Sequence, residues 1–308
     1  MDEFELIRRY FLRQLKSPVV ATGIGDDGAV LRPPAGKELV SVIDTMVAGV
    51  HFPESMDASD IGYRVVAVNL SDIAAMGAAP RWMTLALTLP DAQADWLERF
   101  ADGLHEAAGE WGVQLVGGDT TRGEQLVVSV QMTGDVDPGN AIHRSGAQAG
   151  DAIWVTGTLG DAAAGLRQMS DESQDAFLVS RFARPSARVD VGMALSGSAN
   201  AAIDISDGLV ADLGKLLEAS GVGAEIDIDC LPLSGSLLEA EDREQALRFA
   251  MSGGDDYELC FTMRSDQKPP DLTCAMTLIG RITDSTNLLC RDQGIVVPFE
   301  DSGYRHFQ

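Results

Sequence analysis

Two spacings of hydrophobic residues recur along the chain, one typical of α-helices and the other of β-strands. Apolar residues three or four positions apart predict helices at residues 4–15, 61–76 and 92–112. Short apolar or alternating runs predict strands at residues 39–43, 82–89, 113–116 and 126–134. Because helices and strands interleave, this part of the chain is expected to form an α/β sandwich.

A turn sequence, Asp137-Pro138-Gly139-Asn140, separates this pattern from a second one. A chain of 308 residues is long enough for two domains, and we place their boundary near residue 140, which gives domains at 1–140 and 141–308. The strands predicted in the second domain are 152–156, 201–205, 224–228, 258–263 and 276–282. The helices predicted there are 161–168, 175–182, 189–196, 209–219 and 243–251.

Aspartate recurs at the ends of apolar runs, beside Gly, Ser or Thr. The segments with this pattern are 25–28, 42–45, 69–72, 116–119, 203–208 and 253–256. Strand ends and the loops after them are where α/β folds place chemistry. Carboxylates brought together there repel one another unless cations join them, and hard oxygen ligands select Mg²⁺ or Ca²⁺. The pattern therefore predicts a multi-metal phosphate site assembled from distant segments.

The net charge of the chain argues against some classes of binding partner. The net charge is −24, from 47 acidic and 23 basic residues, and such a surface repels nucleic acid and anionic membranes. A nucleotide would also be repelled unless metal ions join it to the protein. The four Cys form no CxxC pair and no zinc-like spacing with the four His, which fits a cytoplasmic protein. No apolar run approaches the roughly 18 residues of a membrane span.

The individual motifs differ in how well a purely structural role explains them. Asp72 lies in a segment that is apolar on nearly every side. An unpaired charge there costs on the order of several kcal/mol, so we interpret Asp72 as a functional carboxylate. Asp27 in a GDDG sequence could instead form a turn, and Asp44 could cap a helix. The glycines before Asp119 let backbone N–H groups approach a phosphate, although a Gly-Gly-Asp hairpin is the alternative.

Two motifs of the second domain also combine Asp with Gly. Ser206 or Asp207 can cap the helix that begins at Leu209, whose N-terminus suits an anion, but a cap does not explain Asp204. The segment 252–258 contains two adjacent acids after two glycines and suits a donor-rich or cationic ligand group. No GxxxxGK[ST] or GxSxG sequence occurs, so neither a P-loop nor a serine-hydrolase elbow is expected.

Taken together and in order, these segments resemble the thiamine-monophosphate kinase family, whose superfamily includes aminoimidazole ribonucleotide synthetase. The matching segments are 23–27, 44–52, 69–80, 117–123, 144–147, 156–161, 184–188, 203–208, 252–258 and 303–307. The resemblance implies an α+β fold of two α/β-sandwich domains. The N-terminal domain would bind ATP and Mg²⁺ and pair its sheet with that of a second subunit to form a barrel in a homodimer. The C-terminal domain, with a mixed sheet and flanking helices, would complete the active site.

The resemblance also implies a function and a set of site residues. The reaction would be ATP-dependent phosphorylation of thiamine monophosphate to thiamine diphosphate. The implied ligands of several Mg²⁺ ions are Asp27, Asp44, Asp72, Asp119, Asp204 and Asp207. The implied contacts to ATP are Gly118, Arg144 and Ser206, and those to the thiamine substrate are His51, Asp255 and Tyr304. No general base is identified, and Asp26 and Asp256 stay unassigned.

Two departures from the family pattern bear on these assignments. Val42-Ile43 replaces a pair of hydroxyl residues before Asp44, and Asp255 replaces a glutamate. The alternatives to a kinase are an ATP-dependent amidine-forming synthetase of the same superfamily and a non-catalytic acidic protein that binds divalent metal.

Overall fold

The structure is a computed structural model that describes residues 3–12, 19–171 and 174–298. It contains two compact units. The first consists of Met1–Ile73 with Ala78–Pro138, and the second of Ala74–Gly77 with Gly139–Gln308. No helix of the described part is long and apolar enough to cross a membrane.

The strands in chain order are β1 (Val20–Thr22), β2 (Val30–Leu31), β3 (Glu38–Val47), β4 (Ala79–Leu89), β5 (Gln114–Arg122), β6 (Val127–Val136), β7 (Ala152–Thr156), β8 (Ala201–Asp204), β9 (Gly223–Asp227), β10 (Leu259–Met263), β11 (Met276–Thr283), β12 (Leu288–Asp292) and β13 (Ile295–Val297). The helices are α1 (Glu3–Leu6), α2 (Ala58–Ala75), α3 (Ala94–Glu110), α4 (Asp161–Gln168), α5 (Ala176–Ala183), α6 (Val189–Leu195), α7 (Leu209–Ser220), α8 (Gly235–Ala240) and α9 (Arg243–Ser252). A π-helix covers Ile7–Phe11, and a 3₁₀ turn covers Ile228–Cys230.

The first unit contains a four-stranded sheet in the order β3-β6-β4-β5, and β1 and β2 form a separate hairpin-like pair. β6 is antiparallel to both β3 and β4, whereas β4 and β5 are parallel and are joined through α3. In β3 the inward positions alternate with exposed ones, so that Val40 and Met46 are buried while Leu39 and Ile43 are 50% and 65% exposed. One side of this strand therefore faces the interior and the other side is open.

Glycines allow the two long helices of this unit to pack closely. A Cβ atom on Gly62 of α2 would lie 2.1 Å from the carbonyl oxygen of Phe100, and one on Gly103 of α3 would lie 1.8 Å from that of Ser59. Only glycine permits such a backbone approach. Helix α2 also packs on the sheet, since a Cβ on Gly134 of β6 would meet Ile73 at 3.3 Å. These contacts fix the position of the helix that carries Asp72.

The second unit is built on a seven-stranded mixed sheet in the order β13-β12-β9-β11-β7-β10-β8. Only the β9–β12 pair is parallel among these neighbours. An apolar cluster of its described residues joins strand residues such as Ile203 and Ile226 to Leu213 and Leu216 of α7. This packing holds the N-terminal end of α7 next to the carboxyl end of β8, where the Asp204–Asp207 segment lies.

The mixed α+β class expected from the sequence is confirmed, and the predicted C-terminal ends of β3 and β5 are several residues too early. β3 continues through Asp44 to Val47 because it pairs with β6 over its whole length, and β5 continues through Asp119 to Arg122 because it pairs with β4. Both aspartates therefore lie within edge strands and not in loops after them. The predicted helix 4–15 is helical to Phe11, and residues 13–15 lie outside the described residues.

Candidate functional site

Asp44 and Asp72 meet in the first unit. Asp44 lies on the inward side of β3, Asp72 lies on α2, and their side chains share a hydrogen bond. Burial raises the pKa of the Asp44 carboxyl above its usual value, while the bond to Asp72 and the charge of His51 act in the opposite direction. Two carboxyl groups this close repel each other when both are ionised, and a cation bound between them would relieve that repulsion.

Two neighbouring side chains complete this region. His51 follows β3, and its Nδ1 accepts a hydrogen bond of 3.0 Å from the backbone N–H of Val47. Asn69 lies one helical turn before Asp72 and is fully buried; its Nδ2 donates to the carbonyl of Val65 at 2.8 Å. Its Oδ1 accepts no hydrogen bond from any described residue. A buried oxygen without a donor, one helical turn from a carboxylate on the same helix, is chemistry that suits a hard cation.

A second group of predicted site residues lines a cavity of about 580 Å³ along β5. Asp27, Gly118 and Asp119 all border it, together with Arg8 from the π-helix. A Cβ atom on Gly118 would lie 2.0 Å from the carbonyl oxygen of Leu85, so this position accepts only glycine. The volume lies within the usual range of roughly 300–1,000 Å³ for small-ligand sites.

The two carboxylate groups of this unit are separated by the width of the sheet. Asp44 is on β3 and Asp119 on β5, the two edges of the four-stranded order. Three strand spacings correspond to about 14 Å. Within residues 3–12, 19–171 and 174–298, no group of three or more His, Cys, Asp or Glu side chains is arranged to hold one metal ion. Of the four ligands predicted in the first unit, Asp44 and Asp72 thus lie next to each other, whereas Asp27 and Asp119 border the cavity along β5.

Of the two residues that replace hydroxyl residues before Asp44, Val42 lies on the same side of β3 as Asp44, and Ile43 lies on the opposite side. Consecutive residues of a strand point to opposite faces. Ile43 is 65% exposed on the open face, opposite to Asp44 and Asp72. A hydroxyl side chain at position 43 would therefore point away from the carboxylate pair.

In the second unit, Ser206 and Asp207 form a turn held by a buried acid. Asp204, at the end of β8, is 4% exposed. The backbone N–H groups of Ser206 and Asp207 each donate to Oδ2 of Asp212 at 2.9 Å. Nζ of Lys215 lies 2.5 Å from Asp207 and 2.7 Å from Asp212. The ammonium group of Lys215 thus forms an ion pair with Asp207, a predicted metal ligand.

The sequence pattern did not single out Asp212 and Lys215, because both lie within the helical pattern of α7. Burial raises the pKa of the Asp212 carboxyl, with Lys215 opposing that effect. Burial alone would lower the pKa of Lys215, but its hydrogen bonds to Asp207 and Asp212 raise it. Their spacing indicates the pair, because side chains three residues apart on one helix are neighbours, and Lys215 lies three residues after Asp212.

The loop before β10 lies against this turn. The N–H of Asp255 donates to the carbonyl of Ser206 at 2.8 Å, and that of Tyr257 donates to Ile205 at 2.9 Å. The structure therefore brings together a residue predicted to contact ATP and one predicted to contact the thiamine substrate. Asp256, left unassigned by sequence reasoning, is fully buried and accepts hydrogen bonds from the N–H groups of Gly160 and Ala162. Burial raises the pKa of Asp256 to about 8, despite these bonds and the charge of Arg181.

The remaining predicted contacts are less defined. Arg144 is exposed, and its backbone carbonyl accepts a hydrogen bond of 3.1 Å from Ser220. Tyr304 lies outside the described residues.

Comparisons of the sequence and of the structure with known proteins point to the same family. Residues 25–136 match the family model "AIR synthase related protein, N-terminal domain", and residues 148–264 match its C-terminal counterpart. The thiamine-monophosphate kinase of Salmonella typhimurium is 47% identical over 319 residues, which cover 99% of this chain and 98% of the relative.

Two solved structures are similar over nearly their whole length. The thiamine-monophosphate kinase from Stenotrophomonas maltophilia K279a has a TM-score of 0.87 at 46% identity, covering 94% of this chain and 96% of that one. The structure of AaThiL complexed with AMPPCP and TMP has a TM-score of 0.81 at 35% identity, covering 94% and 93%.

Proposed function

Because the chain belongs to the thiamine-monophosphate kinase family, we propose that it transfers the γ-phosphoryl group of ATP to the phosphate of thiamine monophosphate. The products are thiamine diphosphate and ADP, so the reaction is the last step of thiamine diphosphate formation. The observation that carries the proposal is the contact between Asp44 and Asp72, which concentrates negative charge where a cation is needed. The complex of the similar AaThiL with AMPPCP and TMP supports the two substrates.

The acceptor requires no general base. A phosphate monoester has a second pKa of about 6, so it is already a nucleophilic anion near neutral pH. The difficulty lies in bringing two polyanions together on a chain of net charge −24. Direct in-line transfer, without a phosphoenzyme, asks the protein only to bind, align and neutralise.

Mg²⁺ is the proposed means of neutralisation, and the first unit offers suitable ligands. Asp44 and Asp72 would hold one ion, with Asn69 Oδ1 as a further oxygen donor. Asp27 and Asp119 would hold another beside the cavity along β5. Asp204 and Asp207 are the proposed ligands from the second unit. Bound Mg²⁺ supplies the positive charge that lets the two phosphates approach.

The proposed ATP contacts are Gly118, Arg144 and Ser206. The close backbone approach at Gly118 supports a phosphate or nucleotide lying against β5, since a side chain there would collide with β4. The proposed substrate contacts are His51, Asp255 and Tyr304. Thiamine carries a cationic thiazolium ring, which suits the carboxylate of Asp255.

We also propose a cytoplasmic homodimer. The open face of β3 presents Leu39 and Ile43 to solvent, and a second copy of the same sheet would cover both. Closing two sheets into a barrel also removes the exposed edges of β3 and β5. The four cysteines all lie in the described part of the chain as free thiols, which fits a reducing compartment.

The test is ADP release measured with thiamine monophosphate, with free thiamine and without an acceptor, each at saturating Mg²⁺ and ATP. The kinase releases ADP only with the monophosphate. Release that does not depend on either acceptor would favour another ATP-dependent enzyme. Metal binding without any release would favour a non-catalytic acidic protein.

A further inference from the structure

Two residues of the loop before β10, separated by one position, have an unusual backbone conformation. Asp255 has φ of 62° and Tyr257 has φ of 51°, in the left-handed region that residues other than glycine rarely adopt. Such conformations persist only where the surrounding structure imposes them, and they concentrate at functional sites. The residues between and after them, Asp256 and Glu258, are both fully buried.

The hydrogen bonds of the two buried acids, Asp256 and Glu258, impose this backbone conformation. Asp256 accepts from the N–H of Gly160 at 2.8 Å and from that of Ala162 at 3.3 Å, at the start of α4. Glu258 accepts hydrogen bonds from three side chains at 2.5–2.7 Å: those of Thr156, Arg181 and Arg188. We call Asp256, Glu258, Arg181 and Arg188 the acid clamp.

The acid clamp leaves the side chains of Asp255 and Tyr257 on the other side of the loop. The phenolic hydroxyl of Tyr257 donates to Oδ1 of Asp255 at 3.3 Å. Both side chains are only half-buried, unlike Asp256 and Glu258. The backbone N–H groups of the same two residues bind the carbonyls of Ser206 and Ile205. The loop is thus held by its buried residues, and on it the Tyr257 hydroxyl bonds to the Asp255 carboxylate.

We propose that Tyr257 is a positioning residue: its hydroxyl orients the Asp255 carboxylate toward the cationic part of the substrate, on a loop that the acid clamp holds in place. This rests on the proposed function, in which Asp255 contacts thiamine monophosphate. Tyr257 acts through Asp255 and does not itself need to touch the substrate.

A double-mutant cycle tests the role of Tyr257. Loss of one orienting hydrogen bond in Tyr257→Phe is expected to raise KM for thiamine monophosphate about 2- to 10-fold, with kcat and KM for ATP unchanged. In the Asp255→Ala background, which removes the acceptor, the same change is expected to have no further effect. Tyr63→Phe is the matched control, because the Tyr63 hydroxyl also donates to a carboxylate, that of Glu110 on the first unit. An unchanged KM in Tyr257→Phe, or an equal rise in both backgrounds, would overturn the proposal.

The acid clamp is tested without any substrate, by hydrogen exchange at the amides of Asp255 and Tyr257. Arg188→Lys keeps one charge but loses the two-point contact with Glu258, and it is expected to speed exchange at both amides at least about 10-fold. Arg248→Lys, which alters an exposed ion pair with Glu244, is the control and leaves both amides unchanged. Equal protection in the two variants would refute the clamp. Failure of the wild-type enzyme to use thiamine monophosphate would refute the proposed function and leave this result standing.

Discussion

Replacing Gly103 of α3 by alanine is expected to destabilise the first unit. The new Cβ atom would lie 1.8 Å from the carbonyl oxygen of Ser59 in α2, with two more backbone atoms of Ser59 within 2.9 Å. No side-chain rotation relieves a collision with backbone, so the helices must move apart. Gly109→Ala is the matched control on the same helix, because nothing lies within 4 Å of the Cβ position there.

The two substitutions should change stability in opposite directions. Overpacking costs about 1–3 kcal/mol, and a collision with backbone belongs at the upper end. Alanine recovers about 1 kcal/mol of helix propensity at either site. The net expectation is a loss of about 2 kcal/mol for Gly103→Ala, or roughly 4–8 °C in Tm, and a gain of up to about 1 kcal/mol for Gly109→Ala.

The assay is urea unfolding followed by circular dichroism, with Tm as a second measure. Because α2 also carries Asp72, the turnover of Gly103→Ala should fall while that of Gly109→Ala stays normal. If Gly103→Ala is as stable as Gly109→Ala, the close packing of α2 and α3 described above is wrong.

Three further outcomes follow from the structure. Glu258→Gln is expected to lower the free energy of unfolding by about 3–5 kcal/mol, because two guanidinium groups lose their buried counter-charge. The control, Glu244→Gln on the surface of α9, should change that free energy by less than about 0.5 kcal/mol. Equal denaturation midpoints for the two variants would contradict this expectation. The pKa of Asp256 is raised to about 8 from an unfolded value near 3.9, so the folded state holds the proton and stability should fall as pH rises between those values. In Asp256→Asn that decline should be smaller in unfolding measured at pH 5 and pH 8, and an identical slope would assign it to other groups. Ile43→Lys should convert the proposed dimer to a monomer in size-exclusion chromatography, and an unchanged elution volume would exclude the β3 face as the interface.

Periodicity predicted most long elements of the fold because their apolar residues are buried on one side. The residues of α7 show this well, since Leu209, Leu213, Leu216 and Leu217 all lie in the core. Strand ends were less predictable. Asp44 and Asp119 are polar and therefore seemed to end their strands, but backbone pairing with β6 and β4 continues past them regardless of side-chain polarity.

The site was predictable where residue type and neighbours were unusual, and not where partners come from distant segments. Asp72 stood out because its helix is otherwise apolar, and the structure places it against Asp44. The partners of Glu258 lie 70 and 77 residues away in Arg188 and Arg181, a separation that no local pattern encodes. Asp255 and Asp256 are adjacent in the sequence, which does not distinguish their roles. In the structure Asp256 is fully buried and anchors the loop, whereas Asp255 is only partly buried.

The central claim is that Asp72 helps to hold the charge that phosphoryl transfer between two anions requires. It is tested most directly by following thiamine diphosphate formation from ATP and thiamine monophosphate by phosphorus NMR in Asp72→Asn. The control is Asp95→Asn, an exposed acid in the first turn of α3. We expect Asp95→Asn to form the product at the wild-type rate and Asp72→Asn to form it at least about 100-fold more slowly, with an unchanged circular dichroism spectrum. Product formation by Asp72→Asn at the wild-type rate at limiting Mg²⁺ would contradict the account.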